Sequence, residues 1–209
     1  DGSSISDGVV KSKKNTGPVE VDMNKNRILI SEIKNFSGIN TFYLNVALVL
    51  IGCLLLAISA KVQVPFWPVP MTMQTFVVFL IGATYSIRLS FITLLMYLFQ
   101  GALGLPVFAS GGGLAYMVGP TAGYLYGMTI SVILISYLAN KGFTLTYFKT
   151  IITLLLASII IFSFGIFYLG SIIGYEKAIQ VGFLPFIPSE IFKIALAVAI
   201  IPSLQNLLK

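Results

Sequence analysis

The chain has 209 residues, of which 57% are hydrophobic and 10% are charged, whereas soluble domains carry about 25% charged residues. Its formal net charge is +6, and it contains no histidine and a single cysteine, Cys53. This excludes imidazole catalysis, histidine metal sites and an intrachain disulfide. Residues 35–209 carry only nine charged side chains, a density typical of membrane proteins. The basic balance therefore indicates membrane topology, and we expect no catalytic residue, metal site, cofactor or nucleic-acid partner.

The N-terminal part of the sequence changes in character at Met23. Residues 1–22 are polar and rich in Gly, Ser and Lys, and are either a fusion remnant before a natural start at Met23 or a disordered native tail. Residues 23–40 are expected to form a cytoplasmic N-terminal segment. Within it, residues 24–36 are either a short amphipathic helix on the membrane surface or a solvated linker. Residues 41–209 are expected to form one membrane domain.

Six apolar segments are predicted to be transmembrane helices, because crossing about 30 Å of hydrocarbon takes roughly 20 apolar residues. The second and third are shorter than a full crossing. Prolines end the first segment because proline has no amide N–H, and the glycines of 101–113 end the third. In chain order the segments are 41–63, 71–86, 89–103, 115–139, 148–174 and 188–208. The predicted fold is an all-α integral membrane protein with six transmembrane helices.

The distribution of basic residues orients this predicted bundle. Six crossings place both termini on one side, and we expect that side to be the cytoplasm, where positively charged loops are enriched. The inner loops then contain Arg27, Lys34, Arg88, Lys141, Lys149 and Lys209, and the outer loops contain Lys61 and Lys177. The interrupted segments 64–74 and 101–113 face outward, where they either line a substrate cavity or are ordinary interfacial loops.

Glu190 and Lys193 are ionisable residues predicted to lie near or within an apolar span, three residues apart on one helix face. Pro188 and Ser189 predict the helix start, which places Glu190 where the positive end of the helix favours a carboxylate. An unpaired charge is costly in lipid, so the pair indicates either a ligand site or a structural ion pair at the outer interface. A small ligand with an acid and an amide-like group would suit the pair.

Four motifs in this order resemble signatures of the BioY family, the membrane-embedded biotin-binding subunits of energy-coupling factor (ECF) transporters. They are VPFWPVPMTMQT at 64–75, GALGLPVFA at 101–109, GPTAGYLYG at 119–127 and PSEIFK at 188–193. The resemblance covers residues 41–209. It implies a six-helix S-component in a prokaryotic cell membrane, surrounded by lipid, that captures biotin from outside. A coupling subunit and two ATPase subunits would power the release of biotin inside.

The resemblance assigns biotin binding to Glu190 and Lys193, with Glu190 in place of the usual aspartate. Ser189 and Ala122 replace glycines, and the glycine turn lacks an arginine that many members carry, which gives Lys193 more weight. The residue types suggest further contacts, each of which alternatively serves ordinary packing. Those suited to a ureido or carboxylate group are Gln74, Tyr97, Gln100 and Tyr116, those suited to a bicyclic body are Phe66, Trp67, Phe108 and Tyr124, and the turn contributes Gly112 and Gly113.

Alternative functions are an S-component for another small vitamin and a stand-alone secondary transporter, although no internal repeat favours the latter. The sequence contains no G-x-x-x-x-G-K-[S/T] phosphate-binding loop, so ATP hydrolysis is expected to belong to another subunit. Two small-residue pairs, Gly123 with Gly127 and Cys53 with Ala57, allow close helix contact. They are expected to pack within the bundle, or, for the second pair, against the coupling subunit.

Overall fold

The computed structural model describes residues 40–65 and 67–207, without the side chains of 206 and 207. It is mainly helical, with α1 Thr41–Lys61, α2 Gln74–Thr84, α3 Ile87–Ala102, α4 Leu114–Met117, α5 Ala122–Asn140, α6 Tyr147–Ile173, α7 Tyr175–Gly182 and α8 Ile187–Leu207. A 3-10 turn, Leu184–Phe186, precedes α8. The segments predicted within 1–39, including the amphipathic helix at 24–36, lie outside the described residues.

A short antiparallel ribbon interrupts the helices between α1 and α2. It consists of β1, Gln63–Val64, and β2, Met71–Thr72, with Gln63 opposite Thr72. The prolines between the two strands exclude a continuous helix, and the chain satisfies its backbone by pairing with itself. The sequence correctly predicts the break in the helix but not the ribbon.

The helices overlap the six predicted apolar segments, but not all are long enough to cross a membrane alone. Four described segments have the required length and hydropathy, namely Thr41–Lys61, Ala122–Asn140, Tyr147–Ile173 and Tyr175–Gln205. α2 has 11 residues and α3 has 16. At 1.5 Å per residue these helices are about 17 and 24 Å long, which is less than the roughly 30 Å of a bilayer's hydrocarbon core.

Two predicted helix starts are wrong, and one predicted loop contains a helix. The second helix begins at Gln74 rather than 71, because Met71 and Thr72 belong to the ribbon. The helix of the fourth predicted segment, α5, begins at Ala122 rather than 115. Pro120 has no amide hydrogen to continue a helix, so α4 remains a separate turn before it. The segment after α6, predicted as an outer loop, contains α7.

Small residues set the closest helix contacts. A Cβ atom on Gly123 would lie 2.5 Å from the Phe164 carbonyl oxygen, and one on Gly127 would lie 2.9 Å from Ile161 Cα. The glycine pair therefore packs within the bundle, between α5 and α6. Cys53 is also buried and donates from Sγ to the carbonyl oxygen of Thr93 at 3.4 Å, so this side of α1 faces α3.

The two ends of the bundle are distinguished by what lies there. One end, here named the ribbon end, contains the β1–β2 ribbon, the loop 103–113 after α3 and the start of α8. At the opposite end, Gln205 accepts a hydrogen bond from Thr144 (2.9 Å) and donates one to the Ala83 carbonyl (2.9 Å). These bonds fasten the end of α8 to the end of α2, and this end is named the Gln205 end.

Candidate functional site

The ion pair predicted from the sequence forms at the start of α8. Lys193 Nζ lies 2.8 Å from Glu190 Oε2, and the two residues are only 3% and 5% exposed. Glu190 lies in the first turn of the helix, where unpaired backbone amides favour a carboxylate. Two opposite charges buried together need further hydrogen bonds to offset the loss of hydration.

Those hydrogen bonds use every proton of the Lys193 ammonium group. Besides Glu190, Lys193 Nζ donates to Thr75 Oγ1 at 2.7 Å and to the Thr72 carbonyl oxygen at 3.2 Å. An ammonium group has three protons and accepts nothing. In this arrangement Lys193 therefore has no proton left for a ligand, and two of its three bonds join α8 to the ribbon and to α2.

Glu190, in contrast, retains an accepting position. Its Oε2 atom accepts from Lys193 and from Thr75 Oγ1 (3.2 Å), and its Oε1 atom accepts from Ser158 Oγ at 2.8 Å. A carboxylate offers about four accepting positions, so one remains open at Oε1. Because Thr75 accepts from Lys193, its own hydroxyl proton is directed toward Glu190. The geometry suits an N–H donor from a ligand.

A small cavity of about 40 Å³ lies beside this pair, and we name it the ion-pair pocket. Its other lining residues are largely apolar and aromatic: Val69, Pro70, Thr72, Thr75, Tyr124, Met128, Ile161, Phe162 and Phe186. Pockets that bury a small organic ligand usually measure about 300–1,000 Å³. The ion-pair pocket is therefore smaller than the space that a vitamin-sized ligand occupies.

Tyr124 and Phe186 are fixed as one wall of the ion-pair pocket. The Tyr124 hydroxyl donates to the Gly182 carbonyl oxygen at 2.8 Å, and the Tyr124 ring stacks on Phe186 with centroids 6.4 Å apart. Phe162 meets Phe186 edge-on at 6.2 Å. Such rings can cover both faces of a flat bicyclic ligand.

A second group of side chains holds the loop 103–113 onto the bundle, and we name it the loop cluster. The Tyr97 hydroxyl donates to the Val107 carbonyl at 2.9 Å. The Phe108 ring meets Tyr97 edge-on at 5.4 Å and stacks on Tyr116 at 4.8 Å. Lys61 Nζ donates to the Phe108 carbonyl at 2.6 Å. Side chains thus replace the strand or helix partners that this irregular backbone lacks.

Gln74 lies in the first turn of α2, beside the residue that contacts the ion pair. Its side chain approaches the Tyr97 hydroxyl and is 4% exposed. Yet its Nε2 atom makes no hydrogen bond of ordinary geometry to any group within 40–65 and 67–207. A buried donor without a partner is costly, so this amide is a suitable group to bind a ligand oxygen.

The structure divides the predicted site residues into sets. Lys193, Glu190 and Tyr124 line the ion-pair pocket, and Tyr97, Phe108 and Tyr116 belong to the loop cluster. Gln74 lies between the two groups, next to Thr75 in sequence and near the Tyr97 hydroxyl. Trp67 is 75% exposed and is not among the pocket-lining residues. Phe66 lies outside the described residues.

The predicted turn residues shape the loop rather than line the pocket. Gly113 has a φ of +100° and donates from its N–H to the Gly101 carbonyl at 2.7 Å. A Cβ atom on Gly112 would lie 2.1 Å from the Leu105 carbonyl oxygen. Gln100 is half-buried near the end of α3, where its carbonyl oxygen accepts from Leu105 N–H at 3.2 Å.

Sequence reasoning missed several residues of the site, above all Thr75 and Ser158, which donate hydrogen bonds to Glu190. Both are polar residues within apolar helices, which is a weak signal because such hydroxyls commonly bond to their own helix. Thr93 and Thr150 do so here, each donating to the carbonyl four residues earlier. Phe162 and Phe186 were missed because nothing distinguishes them in sequence from the aromatic residues that face lipid.

Comparisons with known proteins give the same assignment as the motifs. The BioY family model matches residues 30–209. A probable biotin transporter BioY of Rickettsia prowazekii is 32% identical over 181 residues, which are 86% of this chain and 93% of that protein. A probable biotin transporter BioY of Pyrococcus horikoshii is 37% identical over 162 residues, which are 77% of this chain and 96% of that protein.

A relative named biotin transporter BioY, from Thermotoga maritima, is 35% identical over 155 residues, or 73% of this chain and 90% of the relative. A solved structure, the S-component for biotin from an ECF-type ABC transporter, has a similar fold with a TM-score of 0.70 at 23% identity. That match covers 81% of this chain and 95% of the solved one. The chain belongs to the BioY family.

Proposed function

We propose that this chain is the membrane-embedded subunit that captures biotin from outside the cell for uptake. The observation that carries the proposal is the buried Glu190 carboxylate, which Lys193, Thr75 and Ser158 fix in place while one accepting position at Oε1 stays open. The ureido ring of biotin presents N–H donors that fit this position. The names of the relatives and the fold of the biotin S-component support the same ligand.

The sequence leaves two roles for Lys193, direct binding of the ligand or positioning of Glu190. The commitment of all three ammonium protons to protein atoms favours positioning. The bicyclic body of biotin then packs among the rings of Tyr124, Phe162 and Phe186. Its carboxylate extends toward Gln74, whose Nε2 donor has no hydrogen-bond partner in the described part of the chain and so offers a hydrogen bond.

The proposal includes the topology of the chain. The bundle crosses the cell membrane six times with both termini in the cytoplasm, and the ribbon end faces outward. Supporting this orientation, Arg88, Lys141 and Lys149 lie at the Gln205 end, as expected for a cytoplasmic surface. In this proposal the short helices α2 and α3 reach the outer surface through the ribbon and the loop 103–113, of which Phe108 and Ala109 are buried.

Labelling of single introduced cysteines in intact cells tests this topology, since the buried Cys53 is a poor target for a charged reagent. A membrane-impermeant reagent should modify a cysteine at position 177 and spare one at position 141. Labelling at 141 and not at 177 would reverse the orientation and put the pocket on the inner face.

The energy for uptake is supplied by other subunits in this proposal. The sequence lacks a phosphate-binding loop, so a coupling subunit and two ATPase subunits provide ATP hydrolysis, and this chain acts in transport without being an enzyme. An ATPase assay on the isolated chain should give no activity. Activity that persists through purification in proportion to the chain would contradict this division of labour.

Binding titrations with modified ligands test the substrate and its orientation. We expect the purified chain to bind biotin and to bind biotin methyl ester more weakly. Biotin methylated at the ureido nitrogens should bind weakest of the three, because it cannot donate to Glu190. Riboflavin and thiamine serve as matched vitamin controls. Tighter binding of riboflavin or thiamine than of biotin would show that biotin is not the substrate. Equal losses of affinity for the two biotin derivatives would contradict the proposed orientation of the ligand.

A further inference from the structure

A second, larger cavity lies at the Gln205 end, far from the ion-pair pocket. It has a volume of about 540 Å³ and is a groove between α1 and α3. The two helices touch farther along, where a Cβ atom on Gly52 would lie 2.6 Å from Thr93 Cγ2. The groove extends along the two helices from Phe42 and Ser86, near their N-termini, to Leu50 and Met96.

The groove has a polar end and an apolar end. Asn45, Ser86 and Arg88 lie where the two helices begin, whereas Leu50 and Met96 line the part nearer the Gly52–Thr93 contact. Arg88 and Met96 are eight residues apart on α3, which corresponds to about 12 Å along the helix. A ligand that fills this groove is therefore amphipathic, with a polar head near Arg88 and an apolar chain beyond it.

Arg88 has no partner of opposite charge in the described part of the chain. It is exposed, and the two described carboxylates, Glu176 and Glu190, belong to the ribbon end, where Glu190 pairs with Lys193. Two other basic residues at the Gln205 end lie over aromatic rings, Lys141 Nζ at 4.4 Å from the Tyr137 centroid and Lys149 Nζ at 5.3 Å from that of Phe143. Arg88 is thus the cation available to an anion in the groove.

We infer that this groove binds an anionic phospholipid, with the phosphate at Arg88 and one acyl chain along the apolar walls. A guanidinium group binds a phosphate oxygen pair bidentately, and Asn45 and Ser86 add polar contacts. Basic pockets between transmembrane helices bind lipid headgroups in this way. An acyl chain also covers apolar side chains that α1 leaves exposed, such as Val46 and Leu50. The inferred site is independent of biotin binding.

The test measures thermal unfolding of the full chain in detergent as phosphatidylglycerol is added, with phosphatidylcholine as the uncharged-headgroup comparison. We expect phosphatidylglycerol to raise the unfolding temperature at lower concentration than phosphatidylcholine. Arg88→Gln should increase the half-maximal phosphatidylglycerol concentration at least tenfold, and Arg88→Lys should increase it less. Lys141→Gln removes an equal charge at the same end outside the groove and should have no effect. Equal responses of Arg88→Gln and the unsubstituted chain would overturn the inference.

Two further measurements separate the lipid from other occupants. Glycerophosphoglycerol, which has the phosphodiester charge of the headgroup and no acyl chain, should not stabilise the chain. Stabilisation equal to that by the lipid would reduce the site to an anion site. A photoreactive benzoylphenylalanine in place of Ile92, which lines the groove, should yield a phospholipid adduct in membranes. An adduct with the N-terminal residues, a second copy or another protein would overturn the inference.

Discussion

The ion-pair pocket and the loop cluster lie side by side at the ribbon end, but their polar groups are fixed in different ways. In the pocket, side chains bind other side chains across α2, α6 and α8, and Glu190 alone has three such partners. In the loop cluster, Tyr97 and Lys61 each reach carbonyl oxygens of the loop 103–113. Removing Lys193 from the pocket leaves the buried Glu190 carboxylate without its counter-charge. Removing one side chain from the loop cluster only loosens a loop that keeps other attachments.

The largest expected effect comes from Lys193→Ala, which leaves the Glu190 carboxylate buried without its counter-charge. Breaking a buried pair costs roughly 3–5 kcal/mol of folding stability. Because the carboxylate is then no longer held in place for the ligand, we expect at least a hundredfold weaker biotin binding, or about 2.8 kcal/mol. Lys193→Arg should restore little, because a planar guanidinium does not reproduce the three directions of the ammonium bonds. Isothermal titration of monodisperse protein measures the affinity.

Lys177→Ala is the matched control for Lys193→Ala, since Lys177 is exposed on α7. It should bind biotin as the unsubstituted chain does. Unchanged biotin affinity in Lys193→Ala would mean that the Glu190–Lys193 pair is only structural. The binding site would then have to be sought around Gln74 and the glycine turn.

Ser158→Ala should weaken biotin binding about tenfold, since a hydrogen bond to a charged group is worth about 1.5–3 kcal/mol. The loss frees Glu190 Oε1 to rotate away from the ligand while the ion pair stays intact. Ser171→Ala is the control, because Ser171 lies on the same helix and donates only to the carbonyl of Tyr168. Equal affinities of the two variants would show that Lys193 and Thr75 suffice to position the carboxylate.

Tyr97→Phe should weaken binding by a few-fold, because it removes one neutral hydrogen bond of about 1 kcal/mol from the loop. It keeps the ring that packs edge-on against Phe108. The hydrogen-exchange rate of the loop amides should rise by a larger factor than the dissociation constant for biotin. The affinity changes little because Lys61 still holds the loop in place. A loss as large as that of Lys193→Ala would place Tyr97 within the binding site and abolish the distinction between the two regions.

The smallest effect is expected for Trp67→Ala, with affinity changed less than about twofold, or 0.4 kcal/mol. Trp67 is 75% exposed, so truncating it removes little packing from either region. A tenfold or larger loss in the titration would show that Trp67 closes over bound biotin, and the loop between the ribbon strands would then belong to the pocket.

The fold was predictable where one physical signal dominates. Long apolar segments identify α1, α5, α6 and α8, and the prolines after α1 exclude a continuing helix. The start of α5 was missed because Pro120 stands inside an otherwise apolar stretch, where hydropathy alone gives no break. The ribbon was missed because it rests on two residue pairs, too few to produce an alternating pattern.

The candidate site was predictable in its charged centre and not in its surroundings. Glu190 and Lys193 are conspicuous because a charge in an apolar segment is rare, and their spacing shows that they share a helix face. The partners Thr75 and Ser158 come from two other helices, 115 and 32 residues away from Glu190. Which face of α2 or α6 turns inward depends on the assembled bundle, so no local pattern identifies these hydroxyls.

The small volume of the ion-pair pocket has a kinetic consequence. If biotin binds here as proposed, a space of about 40 Å³ has to widen before the ligand is seated, so we expect a further step after the first collision. The observed association rate should then level off as the biotin concentration rises, at the rate with which the pocket widens. The rate at which the pocket opens, rather than the biotin concentration, would then limit how fast the transporter is loaded when biotin is abundant.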